Sequence, residues 1–150
     1  MLEQKIEQDL KAALLSGDSQ RVSTLRGLKS TLLNTKIATG KRDSGLSDDE
    51  VLTQLAKQAK QRQESADMYV QGGDQVRADK ELAEKAIIEE YLPTQLSEAE
   101  ISKLIDDVIA ESGLSAGPQA MGQVIGQVKQ KAGAAADGAV IARLAKEKLQ

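Results

Sequence analysis

The chain has 150 residues, of which 40% are hydrophobic and 29% charged, and its formal net charge is -3. This composition is typical of a globular protein with one domain or two small ones. The chain contains no histidine and no cysteine, which excludes disulfides, thiolate chemistry and the commonest general base and metal ligand. The acidic balance argues against a basic surface over the whole chain, although it leaves room for a local basic patch.

No apolar stretch approaches the roughly 18 residues that a membrane span needs. The first residues, Met1-Leu2-Glu3-Gln4, also lack the basic and apolar regions of a secretory leader. We therefore expect a cytoplasmic protein with no membrane segment.

The first 40 residues predict a hairpin of two antiparallel helices, because apolar residues recur at spacings of three and four. The first helix is expected to end at Ser16-Gly17 and the second, capped by Asp18 or Ser19, to close at Gly40. The positions predicted to face the core are Leu2, Ile6, Leu10, Ala13 and Leu14, then Val22, Leu25, Leu28, Leu32 and Ile37.

A second hairpin is predicted between a polar loop at 40–45 and Pro93. Ser47 and Glu50 have the spacing of a capping box that starts the third helix, and Asp74, after the break at Gly72-Gly73, can cap the fourth. The fourth helix is expected to run to the Pro93 stop. The predicted apolar face consists of Val51, Leu52, Leu55, Ala59, Ala66 and Tyr69, then Ala78, Leu82, Ala86, Ile87 and Tyr91.

The residues after Pro93 predict three shorter helices. Ser97 and Glu100 form a second capping box, Pro118 suits the first turn of the next helix, and Asp137 caps the last. No segment alternates at period two for long enough to form a sheet. The predicted fold class is all-α, with an N-terminal four-helix domain at 1–93 followed by a small three-helix tail domain at 94–150.

The third helix carries a charged face that is a candidate interaction surface. Lys57, Lys60 and Glu64 share one side, whereas Arg62 is rotated toward the side of Ala66. The alternative is structural, with Lys60 paired to Glu64 and the stem of Arg62 packed between helices.

Basic residues after Gly113 form a candidate RNA-binding patch. It comprises Lys129, Lys131, Arg143 and Lys146, with Gly133 and Gly138 in the loop beside them. Such residues could contact phosphates beside the N-terminus of the last helix. An ordinary solvated surface is the alternative, because the patch has no aromatic residue for base stacking.

Two glycines, Gly122 and Gly126, lie one turn apart inside a predicted helix. Each costs on the order of 1 kcal/mol there. Close helix packing is the expected compensation, and close approach of an RNA backbone is the alternative.

The chain resembles the GatB/YqeY family of small helical proteins. The resemblance is carried, in order, by Leu25-Arg26, Lys60-Gln61-Arg62-Gln63-Glu64-Ser65, Glu89-Glu90-Tyr91-Leu92-Pro93, Met121-Gly122 and Ala136-Asp137-Gly138. It implies a helical N-terminal domain and a tail related to the end of the GatB subunit of the tRNA-dependent amidotransferase, where the tail helps to hold tRNA. The carbon-nitrogen ligase label of that enzyme, which uses glutamine as amido-N-donor, would rest on the shared tail alone.

Two functional hypotheses follow. In the first, the chain is a non-catalytic accessory protein that associates with tRNA through its tail. In the alternative, the N-terminal helices engage a synthetase or amidotransferase as a protein-interaction module. No catalytic residue, cofactor or metal site is predicted, and the sequence does not determine the oligomeric state.

Overall fold

A computed structural model describes all 150 residues. It contains seven α-helices and one 3-10 turn and no strand, which confirms the all-α class. The helices are α1 Leu2–Ser16, α2 Ser19–Ala38, α3 Asp48–Gln71, α4 Gln75–Glu89, α5 Glu98–Ser112, α6 Pro118–Ala132 and α7 Gly138–Leu149, and the 3-10 turn is Gly133–Ala135. The chain separates into two compact units, Met1–Leu92 and Pro93–Gln150. None of the helices combines the length and apolar character needed to cross a membrane.

Local signals define the ends of most helices. Both predicted capping boxes are present, Ser47 with Glu50 and Ser97 with Glu100. The hydrogen bond from the Ser97 amide lowers the pKa of the Glu100 carboxyl below its ordinary value. Gly113 ends α5 in the left-handed conformation, at a φ of 67°, which a residue with a Cβ adopts only with strain.

The first unit has one core, to which all four of its helices contribute. Its centre is formed by fully buried side chains such as Ile6, Leu25, Leu55 and Ile88. Ile37, predicted to face inward, is 55% exposed. The physical reason is the helical period: Ile37 lies five residues after the buried Leu32, so it is turned about 140° away from Leu32 around α2.

The interior of α4 differs from the prediction. Leu82 and Ala86 are exposed, whereas Ile88 is buried. Two charged residues of this stretch, Glu81 and Glu84, turn toward α3. The helix also ends at Glu89 rather than at Pro93.

Arg62 of α3 pairs with these two carboxylates. Its guanidinium lies 3.4 Å from Glu81 Oε2 and 3.3 Å from Glu84 Oε2. Lys85 adds a hydrogen bond of 2.9 Å to Gln63. The packing between α3 and α4 is therefore partly ionic, with Ala66 and Ala78 as the small buried residues beside it.

Tyr91, near the end of the first unit, is hydrogen-bonded to its first helix. The phenol donates a hydrogen bond to Asp9 of α1, and the adjacent Glu90 pairs with both terminal nitrogens of Arg21 in α2. Burial, reinforced by the Asp9 hydrogen bond, raises the pKa of the Tyr91 phenol above its ordinary value. The short segment after α4 thus contacts both helices of the α1–α2 hairpin.

The second unit encloses a separate aliphatic core. Ile105, Val124, Val128 and Ile141 are fully buried at its centre. The segment before α5 is bound to the turn between α6 and α7. The Leu96 amide donates to the Ala135 carbonyl at 2.8 Å and the Gln95 side chain donates to the Ala134 carbonyl at 2.9 Å.

Candidate nucleic-acid interface

Lys129 lies directly over the start of α7. A Cβ placed on Gly138 would be 3.0 Å from Lys129 Cε and 3.3 Å from its Nζ, so the absence of a side chain at Gly138 makes room for the lysine. Lys129 is exposed and forms no ion pair. The fold therefore brings together two of the predicted RNA-binding residues and leaves the cation of Lys129 accessible.

The turn between Lys129 and Gly138 has a fixed shape. Gly133 adopts a φ of 56° and a ψ of -135°, a conformation essentially restricted to glycine. Asp137 then caps α7 by accepting a hydrogen bond of 2.9 Å from the Ala139 amide. Gly133 thus shapes the backbone and contributes no side chain to a contact.

Acidic residues of α5 pair with three of the basic residues in the second unit. Lys131 Nζ lies 2.7 Å from Glu111 Oε2, and Lys148 Nζ lies 2.7 Å from Asp106 Oδ1. Arg143 pairs with Glu98 and, at 3.4 Å, with Glu147 of its own helix. The charges of Lys131 and Arg143 are consequently offset within the fold.

Lys146 resembles Lys129 in this respect. It is exposed on α7 and takes part in no ion pair. Of the four predicted basic residues, Lys131 and Arg143 are therefore the two that form ion pairs with α5.

The two glycines inside α6 lie on its solvent-facing side. Gly122 and Gly126 are both exposed, and a Cβ at either would meet no atom within 4 Å. The expectation that close helix packing compensates for them is wrong, because neither glycine faces another helix.

The same side of α6 carries neutral polar side chains as far as Lys129, a feature that the sequence-based predictions did not include. The exposed glutamines of this face are Gln119, Gln123, Gln127 and Gln130. We call these glutamines together with Gly122 and Gly126 the α6 face. Residues 118–128 contain no charged residue, and the repeat of glutamine and glycine at spacings of three and four was the signal available in the sequence.

The candidate surface on α3 has two different parts. Lys57, Lys60 and Glu64 are exposed. Arg62 is directed into the α3–α4 interface, where Glu81 and Glu84 bind it. The four residues therefore do not form one continuous exposed patch.

No three acidic side chains come together in a group that could hold a metal ion. The exposed features of the second unit are the amide groups of the α6 face and the lysine at its edge, Lys129.

The comparisons with known proteins place the chain in a family. It is similar to a Kluyveromyces lactis protein named "Altered inheritance of mitochondria protein 41, mitochondrial", with 30% identity over 129 residues, 84% of this chain and 68% of that protein. The family described as "Yqey-like protein" matches residues 3–149, and this family is related to the C-terminal domain of GatB. The chain therefore belongs to the YqeY-like family.

Proposed function

We propose that this protein is a non-catalytic accessory protein that associates with tRNA through its second unit. The observation that carries the proposal is the exposure of Gly122 and Gly126 in an uncharged stretch of α6 that ends at the exposed cation of Lys129. Each glycine lowers helix stability by about 1 kcal/mol. Since no packing within the chain compensates for that cost, a bound partner that approaches the backbone closely is the favoured explanation.

The nature of the partner is inferred from the family. GatB is the subunit of the tRNA-dependent amidotransferase whose C-terminal domain is related to this family, and a ribose-phosphate backbone is a ligand that exposed amides and a lysine can contact together. The α6 face offers glutamine donors and acceptors to the 2′-hydroxyls. The proposed compartment is that of the tRNA itself, the cytoplasm or, as the name of the yeast relative says of that protein, the mitochondrion.

The salt dependence of tRNA binding should show whether the ion pairs of α5 stay intact in the complex. If Lys129 and Lys146 are the cations that contact phosphate, binding neutralises two phosphates, and log K should fall with log salt with a slope of about -2. If tRNA instead displaces Glu111 and Glu98 from Lys131 and Arg143, the slope should be nearer to about -4.

The test is a filter-binding titration of the full-length chain with unmodified tRNA at several salt concentrations. Lys129→Glu and Gly126→Leu are expected to weaken binding at least about tenfold, because one reverses the nearest charge and the other adds a bulky side chain to the α6 face. Lys80→Glu, a reversal at an exposed and unpaired lysine of the first unit, is the matched control and should leave binding unchanged. Absence of binding at low salt, or equal effects of Lys129→Glu and Lys80→Glu, would refute the proposal.

Catalysis is outside this proposal. The amidotransferase converts a glutamyl- or aspartyl-tRNA to its amide with nitrogen from glutamine, and this chain offers no histidine or cysteine for such chemistry. Purified protein incubated with charged tRNA and glutamine is expected to give no amide. Turnover by the chain alone would replace the accessory role with an enzymatic one.

A further inference from the structure

Two cavities of about 410 and 330 Å³ lie between α1 and α2 in the first unit. The first is lined by Ala13 and Leu14 of α1 and by Gly17 after it, and the second by Glu3, Ile6 and Glu7 of α1. On α2 the lining residues lie at spacings of three and four, so both cavities belong to one face of the hairpin. We call this face the α1–α2 groove.

The floor of the α1–α2 groove is apolar and its rims are partly exposed. Ile6, Ala13 and Val22 are buried beneath it. Leu14 and Leu33, one in each cavity, remain 49% and 46% exposed. A pair of half-exposed leucines above a buried aliphatic floor is a surface whose further burial would be favourable.

The charges along the α1–α2 groove are unbalanced at one residue. Glu3 pairs with Lys36, and Glu7 pairs with Lys29. The hydrogen bond from Lys29 lowers the pKa of the Glu7 carboxyl. Arg26 is the remaining charged residue of the lining; it is exposed and forms no ion pair.

The dimensions of the α1–α2 groove fit a helix. From Glu3 to Ser16, the last residue of α1, this face covers fourteen residues, which at 1.5 Å per residue is about 21 Å, or about four helical turns. On α2 the lining alternates small residues, Ser19, Ser23 and Ser30, with the long side chains of Arg26, Lys29 and Lys36.

We propose that the α1–α2 groove binds an amphipathic helix of a partner protein, whose apolar side covers Leu14 and Leu33 and whose carboxylate pairs with Arg26. The partner is expected to be acidic along the edge of its apolar stripe, because three of the five charged lining residues are basic. A helix laid into an apolar groove is a common mode of peptide recognition. The surface lies in the first unit and is independent of the tRNA proposal.

The probe is a set of helix-stabilised 14-residue peptides with a constant leucine stripe. One peptide has only glutamine at its polar positions, and each of the others has a single glutamate moved along the edge of the stripe. Binding to the full-length chain is measured by calorimetry, and the contact surface is mapped by amide shifts in NMR spectra. At least one glutamate peptide should bind about threefold more tightly than the glutamine peptide, with shifts at Leu14, Ser23 and Ser30.

Matched variants separate the groove from the rest of the surface. Arg26→Gln should abolish the preference for glutamate, and Arg42→Gln, at another exposed arginine without an ion pair, should keep it. Leu33→Ser should weaken every peptide about fivefold, whereas Leu82→Ser, at a leucine of similar exposure on α4, should not.

Four results would overturn the proposal. They are the absence of binding at millimolar peptide, shifts confined to another surface, a glutamate preference that survives Arg26→Gln, and shifts in the groove that depend on protein concentration without peptide. The last result would identify a second copy of the chain as the occupant.

Discussion

Replacing Gly122 and Gly126 by alanine should make the second unit more stable. Both glycines lie inside α6 with φ below zero, and both have open space where a Cβ would be. An exposed Gly→Ala substitution within a helix stabilises by about 0.8–1 kcal/mol. Counted as independent contributions, the two substitutions sum to a gain of about 1.6–2 kcal/mol.

Native-state hydrogen exchange of the full-length chain measures this gain directly. Opening of the unit exposes the amides of Val124 and Val128, which lie on the buried side of α6. Because each 1.36 kcal/mol is a factor of ten, their exchange should slow about 15- to 30-fold in the double variant.

A control substitution at Gly113 should lower the stability of the second unit instead of raising it. Gly113→Ala places a Cβ at a φ of 67° and should destabilise the same unit by about 1 kcal/mol. Unchanged or faster exchange in the double variant would show that a side chain at Gly122 or Gly126 meets an obstacle. It would also remove the argument that the glycines serve a partner.

Three further predictions concern the folded chain. Tyr91→Phe should lower the free energy of unfolding in urea by about 1–2 kcal/mol, because Asp9 loses its hydrogen-bond donor. Since folding raises the pKa of the Tyr91 phenol, the stability that the phenol provides is complete below its ordinary pKa of 10.0 and is lost at higher pH. The variant should therefore lose less stability at alkaline pH than the unsubstituted chain. Folding lowers the pKa of the Glu100 carboxyl, so the stability that it provides is present above the ordinary value of 4.5 and is lost as the pH falls through the folded pKa. Glu100→Gln should therefore reduce the fall in unfolding free energy at acid pH. An unchanged fall would contradict the capping role of Glu100. Leu55→Ala should cost about 2–5 kcal/mol by chemical denaturation, whereas an equal loss for the exposed Leu82→Ala would contradict the packing of α4.

Helix starts were predictable because their signals are local. Ser47 and Ser97 each precede a glutamate by three residues, and the hydrogen bonds of a capping box join only those residues. The end of α5 at Gly113 is similarly local, because it depends on the conformation of one residue. Such features need no knowledge of what packs against the helix.

The inward side of α4 was not predictable in the same way. Periodicity favoured Leu82 and Ala86, but the positions that face α3 include Glu81 and Glu84. Their burial depends on Arg62, about twenty residues earlier in the sequence, and a pairing between two helices leaves no mark in the periodicity of either.

The candidate interface was predicted in part. The placement of Lys129 beside Gly138 agrees with the loop expected there, whereas the pairing of Lys131 and Arg143 with α5 depends on the tertiary fold. The role of residues 94–150 as a GatB-tail-like domain stays a prediction, as does the binding of tRNA.

If the second unit binds tRNA as proposed, the carboxylates of α5 affect which RNA it holds. Any polyanion that uses Lys131, Arg143 or Lys148 must first displace Glu111, Glu98 or Asp106. This competition weakens ribosomal, messenger and transfer RNA alike, since it acts through charge alone. On that proposal, discrimination would depend on the shape of the helix that presents Gly122 and Gly126, and the acidic residues of α5 would weaken binding of other nucleic acids to the same surface.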